Sequence, residues 1–185
     1  MKVLILEERL NYTGEQLASL WAYHVFKVQE DSIVAFRGGC SVRAEHMIDA
    51  EDALAKAEIS SPDMLHFIVE HFDATSLRLI YARQRLLAAI AGEALARLGY
   101  EVERRGDDLY YRGGKLSVSI ASVSQVSAKI HFGMNVRSER YMSLEKMGIG
   151  SPERLLRSIA RAYAGEIEDI ERDLRKAKPL GVYHG

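Results

Sequence analysis

LYYRGGKLSVSIASVSQVSAKIHFGMNV, residues 109–136, is the stretch of sequence that decides the fold. Its pattern predicts three short strands, 109–112, 115–122 and 126–136, and apolar residues alternate with polar ones along the last two. A period of two is typical of strands with one buried face. A Gly-Gly pair before Lys115 predicts a hairpin turn, so a lone lysine begins the second strand. Because a strand holds its side chains in fixed directions, Lys115 is the first candidate for binding an anion.

Strands and helices both flank this stretch. Short apolar and β-branched runs predict further strands, and apolar residues at helical spacing predict helices. The predicted strands are 2–7, 32–36, 64–72 and 100–105, and the predicted helices are 14–27, 50–58, 77–98 and 151–176. Thr13 and Gln16 form a capping box at the first helix, and Gly99 ends the third. This order predicts an α+β fold, a mostly antiparallel sheet flanked by helices, in a single domain spanning residues 1–185.

Composition places the chain among ordinary globular proteins and argues against several functions. Apolar residues make up 48% of the sequence and charged residues 28%, and no apolar run approaches the ~20 residues that cross a bilayer. The net charge of −1 argues against nucleic acid as a partner, because nucleic-acid-binding domains usually carry a basic field. The single cysteine, Cys40, excludes an internal disulfide and fits a reducing cytoplasm.

Two Gly-Gly motifs combine backbone freedom with a cation. In the first, Gly113 and Gly114 would let the backbone approach a ligand while Lys115 supplies charge to a carboxylate or phosphate. In the second, Arg37, Gly38 and Gly39 would form a loop after the strand 32–36 and surround a phosphate with amides and a guanidinium. Plain turns are the alternative for both motifs. Next to the second, Cys40 is expected to be a buried, inert thiol.

Histidine and acidic residues suggest a metal site, although their spacing is poor for one. On a strand, His66 and Glu70 share a face while His71 points to the opposite side. That geometry favours satisfied polar groups over a compact metal centre. Earlier in the chain, Glu45 and His46 precede the acidic first turn of a predicted helix. Exposure of these acidic residues to solvent is a simpler explanation than metal binding.

Several of these segments resemble a family of uncharacterised small prokaryotic proteins. The segments are RGGCSVRAEHMIDAED, PDMLHFIVEHFD and the GGK hairpin, and the resemblance covers most of the chain. That family is similar in fold to the biotin and lipoate protein ligases, which share a catalytic core with class II aminoacyl-tRNA synthetases. The resemblance therefore implies a biotin/lipoate protein ligase-like fold.

The resemblance also implies roles for particular residues. In the ligases a lysine of a strand-borne G-x-K motif contacts the carboxylate and acyl-adenylate, and Lys115 after Gly113 and Gly114 is the matching residue. The segment 131–136, HFGMNV, partly matches a G-I-G-x-N-V strand pattern and includes Asn135. Arg37, Gly38 and Gly39 echo an Arg- and Gly-rich loop. ATP with Mg²⁺ would be the implied cofactors.

Three hypotheses of function follow from the sequence. The first is a ligase or acyltransferase-like enzyme that binds a carboxylate or acyl-adenylate over the sheet, with Lys115 catalytic and Arg37, Lys129 and His131 at the ligand. The second is a non-catalytic protein that keeps the fold and binds a small carboxylate or nucleotide. The third is a metal-dependent hydrolase built on His46, His66 and Glu70. A sheet edge and the long last helix also offer surfaces for a homodimer.

Overall fold

The computed structural model describes residues 1–42 and 59–177. The predicted helix 50–58 and the residues Glu45 and His46 lie outside the described residues. The third hypothesis therefore has one of its three ligands in a part of the chain about which the structure says nothing.

A five-stranded sheet organises the described residues. Its strands are β1 (Lys2–Ile5), β2 (Ser32–Val42), β3 (Ile59–His71), β7 (Ser117–Val123) and β8 (Ala128–Arg137), in the order β1-β2-β3-β8-β7. β1 and β2 are parallel, and the other neighbouring pairs are antiparallel. The predicted α+β architecture with a mostly antiparallel sheet is confirmed.

A smaller sheet carries the predicted lysine hairpin. It contains β4 (Glu103–Arg105), β5 (Asp108–Tyr111) and β6 (Gly114–Lys115). A two-residue turn joins β5 to β6, and its residues Arg112 and Gly113 have φ of 48° and 81°. Positive φ at both positions is the geometry of a type I′ turn, which matches the twist of antiparallel strands. The predicted hairpin at Gly113 is therefore confirmed, with Lys115 directly behind it. The strand predicted over 115–122 is divided, because Lys115 ends β6 of the small sheet and Ser117 begins β7 of the five-stranded sheet.

Two long helices cover one face of the five-stranded sheet. α1 (Trp21–Phe26) is short, whereas α2 (Leu77–Ala96) and α3 (Pro152–Lys176) are long and pack on the sheet and on each other. Leu87 of α2 and Ile159 of α3 share one buried cluster with Leu65, Phe67 and Phe132 of the central strands, and all five are fully buried. We call this side the helix face. No described helix has the length and apolar content needed to cross a membrane.

Residues 10–20, here called the strap, cover the opposite face. The strap first follows the edge of β2, with Leu10 N donating to Arg37 O at 3.1 Å and Tyr12 N donating to Gly39 O at 2.9 Å. It then forms a single 3₁₀ turn, Glu15–Leu17, above the sheet. Buried residues below it include Val34, Phe36, Met64 and Ile68. We call this side the strap face.

The strap replaces most of the helix predicted over 14–27. Only Trp21–Phe26 is α-helical, because Gly14 and Leu20 both have left-handed backbone conformations that end a helix. Half of the predicted capping box is present, because Gln16 Oε1 accepts from Thr13 N at 3.0 Å, but the N-cap residue of the 3₁₀ turn is Gly14, which has no side chain to complete the box. Residues 18 and 20 make tertiary contacts with the sheet, and for this reason the helical spacing of the sequence did not predict the observed structure.

Two strand predictions also need correction. Strand β2 runs through Arg37, Gly38 and Gly39 to Val42, so these residues form strand rather than the predicted loop. The register shifts between Gly38 and Cys40, which marks a β-bulge. In addition, β8 is buried on both faces, whereas alternation predicted one solvated face. In both places the strap supplies the burial that the sequence pattern did not reveal.

Candidate functional site

A stacked column of rings lies at the centre of the strap face. His66 of β3 and His131 of β8 approach through Nδ1 and Nε2 at 3.0 Å, and both are buried. The ring of Tyr12 stacks on His131 with centroids 3.6 Å apart. Burial lowers the pKa of His66 to about 4 and that of His131 well below its usual value. The pair is thus neutral at pH 7, which lets one ring donate to the other.

A buried ion pair lies farther along the same two strands. Lys129 Nζ is 3.2 Å from Glu70 Oε2, and both side chains are almost completely buried. Ser127 Oγ donates to Glu70 Oε1 at 2.8 Å. Burial lowers the pKa of Lys129, and the neighbouring carboxylate of Glu70 opposes that shift.

This ion pair binds the main chain of the strap. Lys129 Nζ donates to the carbonyl oxygen of Ala18 at 3.0 Å, and Leu20 N donates to Glu70 Oε1 at 2.8 Å. These two bonds take the carbonyl and amide that a continuous helix would have used within itself. The predicted ligand-binding residue Lys129 therefore has the chain itself as its partner.

The glycines of β2 allow the strap to approach closely. A Cβ on Gly38 would overlap the carbonyl oxygen of Leu10, and Gly39 N donates to Asn11 Oδ1 at 2.9 Å. The amide of Gly39 that was predicted to face a phosphate is thus bonded to the strap. Asn135, also predicted to bind ligand, accepts from Ser61 Oγ at 3.1 Å through its side chain.

Arg37 lies on the helix face and is already neutralised. Its guanidinium contacts Asp63 and Glu153, and the hydrogen bonds and charge of Asp63 raise the pKa of Arg37. It lines an open cleft of about 410 Å³ together with Asp63, Arg137, Glu145 and the start of α3. Because side chains alternate along β2, Arg37 points away from the His66–His131 pair.

Lys115 projects from the small sheet and pairs with an aspartate. Its Nζ is 2.6 Å from Asp108 Oδ2, with 36% of the lysine side chain exposed. Burial tends to lower the pKa of Lys115, but the hydrogen bond and charge of Asp108 outweigh burial and raise it. Burial also raises the pKa of Asp108, against the effect of the lysine. The ammonium is therefore a permanent, half-buried cation.

The structure brings only some of the predicted residues together. Lys129 and His131 share the strap face, whereas Arg37 occupies the helix face and Lys115 belongs to the other sheet. Ser117, two residues after Lys115, lies in register with Arg37 across the four strands β2, β3, β8 and β7. At ordinary strand spacing, the backbones of Arg37 and Ser117 are therefore about 14 Å apart. Lys115 does not line the cleft that contains Arg37.

The metal-ligating candidates are similarly divided. As expected, His66 and Glu70 share the strap face and His71 points to the helix face, where it contacts Asp31 at 2.8 Å and Tyr163 at 3.0 Å. His66 and Glu70 are four residues apart along a strand, about 13 Å, which is too far for one ion. Glu70 is also fully engaged by Lys129, Ser127 and the strap.

One further group within the described ranges has metal-ligand spacing. Its members are Asp31, His71 and Asp73. Asp31 contacts one ring nitrogen of His71 and Tyr163 contacts the other, while Arg83 donates to both carboxylate oxygens of Asp73. These contacts satisfy the three side chains without an ion.

Sequence reasoning missed the partners that give these residues their properties. Asp108 is one, and its place across a predicted hairpin from Lys115 was a usable signal. Tyr12 is another, but no local pattern shows that it stacks on His131. Gln84 of α2 donates to Asp107 at 2.8 Å and to Ser119 at 3.0 Å, and thereby joins the small sheet to β7.

Comparison with solved structures gives the class of fold. The chain is similar to a biotin protein ligase from Aquifex aeolicus in complex with biotin and ATP, with a TM-score of 0.62, 13% identity, and coverage of 92% of this chain and 72% of the other. It is also similar to a T. acidophilum protein assigned to the lipoate protein ligases and solved with lipoic acid, with a TM-score of 0.57, 13% identity, and coverage of 90% and 86%. The fold is therefore biotin/lipoate protein ligase-like.

Nearer relatives give the family. The chain belongs to the family described as "Domain of unknown function (DUF366)", which matches residues 1–178. It is 45% identical to an uncharacterized protein of Methanocaldococcus jannaschii, over 97% of this chain and 86% of the other. It is 42% identical to a "Protein of Unknown Function from Pyrococcus horikoshi", with a TM-score of 0.92 and coverage of 97% and 99%.

Proposed function

We propose that the protein binds a small carboxylate-bearing molecule at Lys115. The observation that carries this proposal is the ion pair of Lys115 with Asp108, which holds a permanent cation at the end of a rigid hairpin. The main chain of Lys115 is pinned as well, because Met142 N donates to its carbonyl at 3.0 Å. An ammonium group has three N–H donors, and one contact with Asp108 leaves donors for a ligand at this half-exposed position.

Binding alone is better supported than activation with ATP. The predicted phosphate-binding group does not fit that role, because Gly39 N is bonded to Asn11 and Arg37 to Asp63 and Glu153. The guanidinium of Arg37 and the amide of Gly39, which were expected to hold a phosphate, thus have protein partners. The ligase-like fold supports adenylation as a second candidate function, so the experiment includes it.

The test is titration of the protein with a panel of short-chain, aromatic and dicarboxylic acids, followed by calorimetry or thermal unfolding. We expect at least one acid to raise the unfolding temperature, and Lys115→Ala to remove that shift. Lys176→Ala is the matched control, because it removes a lysine that also pairs with an aspartate, Asp173, on a distant helix. Stabilisation that survives in Lys115→Ala contradicts the proposal.

Activation is measured separately with the same acids. Pyrophosphate exchange into ATP that depends on both an acid and Lys115 would assign adenylation to this site. Stabilisation without exchange would assign binding alone. Exchange that persists in Lys115→Ala would place the chemistry elsewhere in the molecule and overturn the role given to this lysine.

A further inference from the structure

Two features of the molecule meet at Leu20. The first is a surface hollow of about 230 Å³, lined by Leu20, Tyr23, Val28, Gln29 and Phe72. The second is the buried group of Glu70, Ser127 and Lys129, which Leu20 contacts through its amide. Leu20 therefore separates an open, mostly apolar hollow from a buried polar cluster.

The cluster has a definite chemical preference. The charges of Glu70 and Lys129 neutralise each other, so a charged ligand would find no unmatched counter-charge there. Toward the strap the cluster offers one acceptor, Glu70 Oε1, and one donor, Lys129 Nζ. Its present partners are the carbonyl of Ala18 and the amide of Leu20. A neutral amide group presents the same pair of functions.

The residue between the hollow and the cluster is held in an unfavourable conformation. Leu20 has φ of 62° and ψ of 19°, a left-handed geometry that is costly for a leucine. Glu70 stabilises this conformation through its bond to the Leu20 amide. Displacement of residues 18–20 would release the strain, which offsets part of the cost of breaking the two main-chain bonds.

We infer that the hollow and the cluster form one ligand site, closed by Leu20, for a small apolar molecule with a neutral amide head. The apolar body lies in the hollow. The head replaces the strap, with its carbonyl accepting from Lys129 and its N–H donating to Glu70. This site shares no residue with the proposed carboxylate site at Lys115, so either can fail without the other.

The test compares three probes with the same chain length: hexanamide, hexanoate and hexylammonium. Each is titrated into the protein by calorimetry, and hydrogen exchange at the Leu20 amide is followed by NMR. We expect hexanamide to bind at least about tenfold more tightly than the charged probes, because either charge would be buried without a partner. We also expect hexanamide to accelerate exchange at Leu20, because its bond to Glu70 is broken.

Surface variants locate the binding. Gln29→Trp places a ring in the hollow and should weaken hexanamide binding about tenfold or more. Glu30→Trp, at a neighbouring exposed position that does not line the hollow, is the matched control and should leave binding unchanged. Lys115→Ala should also leave it unchanged.

Three outcomes would overturn the inference. One is the absence of hexanamide binding at millimolar concentration, and another is equal binding of the three probes. The third is hexanamide binding without faster exchange at Leu20, because the ligand would then occupy the hollow without reaching Glu70 and Lys129.

Discussion

The two faces of the central sheet are built from the same strands and are buried in different ways. On the helix face, residues such as Leu65, Phe67 and Phe132 pack against α2 and α3 and need no partner other than apolar surface. On the strap face, the alternate residues His66, Glu70, Lys129 and His131 are equally buried. Each of these has a specific hydrogen-bonding or ionic partner, as buried polar groups require.

This difference separates two sources of structural specificity. Apolar packing tolerates exchange of one residue for another of similar volume. A buried polar group is costly once its partner is removed, so the strap face depends on particular pairs. We therefore expect substitutions on the two faces to differ in whether a second substitution can compensate for the first.

The largest contrast should come from the ion pair. Lys129→Met and Glu70→Leu should each lower the free energy of unfolding by about 3–5 kcal/mol, because each leaves a buried charge unpaired. The double variant should lose much less than the sum, because no charge remains. Urea unfolding at pH 7 measures all four proteins of the cycle, and additive losses would show that the two residues act independently.

The helix face should respond without compensation. Leu87 of α2 is fully buried, so Leu87→Ala should lower the free energy of unfolding by about 2–5 kcal/mol through lost burial and a cavity. Leu98, just beyond α2, is 55% exposed, and Leu98→Ala should change stability by less than about 0.5 kcal/mol. Similar losses in the two variants, measured by thermal unfolding, would contradict the assignment of this core.

Glycine substitutions sharpen the contrast between the strap and a helix. Gly38→Ala should lower the free energy of unfolding by about 1–3 kcal/mol, because the added methyl group displaces Leu10. Gly165 of α3 has open space around its Cα, so Gly165→Ala should raise stability by about 0.5–1 kcal/mol. Urea unfolding of the two variants measures both free energies. An unchanged free energy of unfolding in Gly38→Ala would contradict the close approach of the strap to Gly38.

Mild acid should weaken the strap face selectively. The pKa of His66 is about 4 in the folded protein, below the usual 6.5, so the unfolded chain binds more protons between these values. Stability should therefore fall as the pH drops below 6.5, by about 1 kcal/mol at pH 5.5 from His66 alone. The variant His66→Phe/His131→Phe should flatten this dependence. The exposed His24→Phe should keep it, and an unchanged slope in the double variant would show that other groups dominate.

The helix face could be predicted from the sequence because its signals are local. The helical spacing of Ile80, Leu87, Ala91 and Leu95 and the alternation of Ile130, Phe132 and Met134 indicate burial without knowledge of the partner, although Leu77 and Leu98 at the ends of the same stripe are exposed. The hairpin before Lys115 was predictable for the same reason, since the turn residues specify it.

The strap face could not be predicted in this way. The contacts of Glu70 with Leu20 and of Lys129 with Ala18 join residues 50 and 111 positions apart. They interrupt a helical pattern that is otherwise regular from Leu17 to Val25. Glycines 38 and 39 suggested a loop, although their role is to admit another stretch of backbone beside a strand. Long-range polar contacts override local propensity at both places.

Hydrogen exchange at the Leu20 amide most directly tests the claim that Glu70 and Lys129 hold the strap closed. We expect at least about tenfold faster exchange in the variant Glu70→Leu/Lys129→Met than in the native protein, while amides in the core of β8 exchange as before. Equal protection of Leu20 in the two proteins would contradict it, because the strap would then be closed without the ion pair.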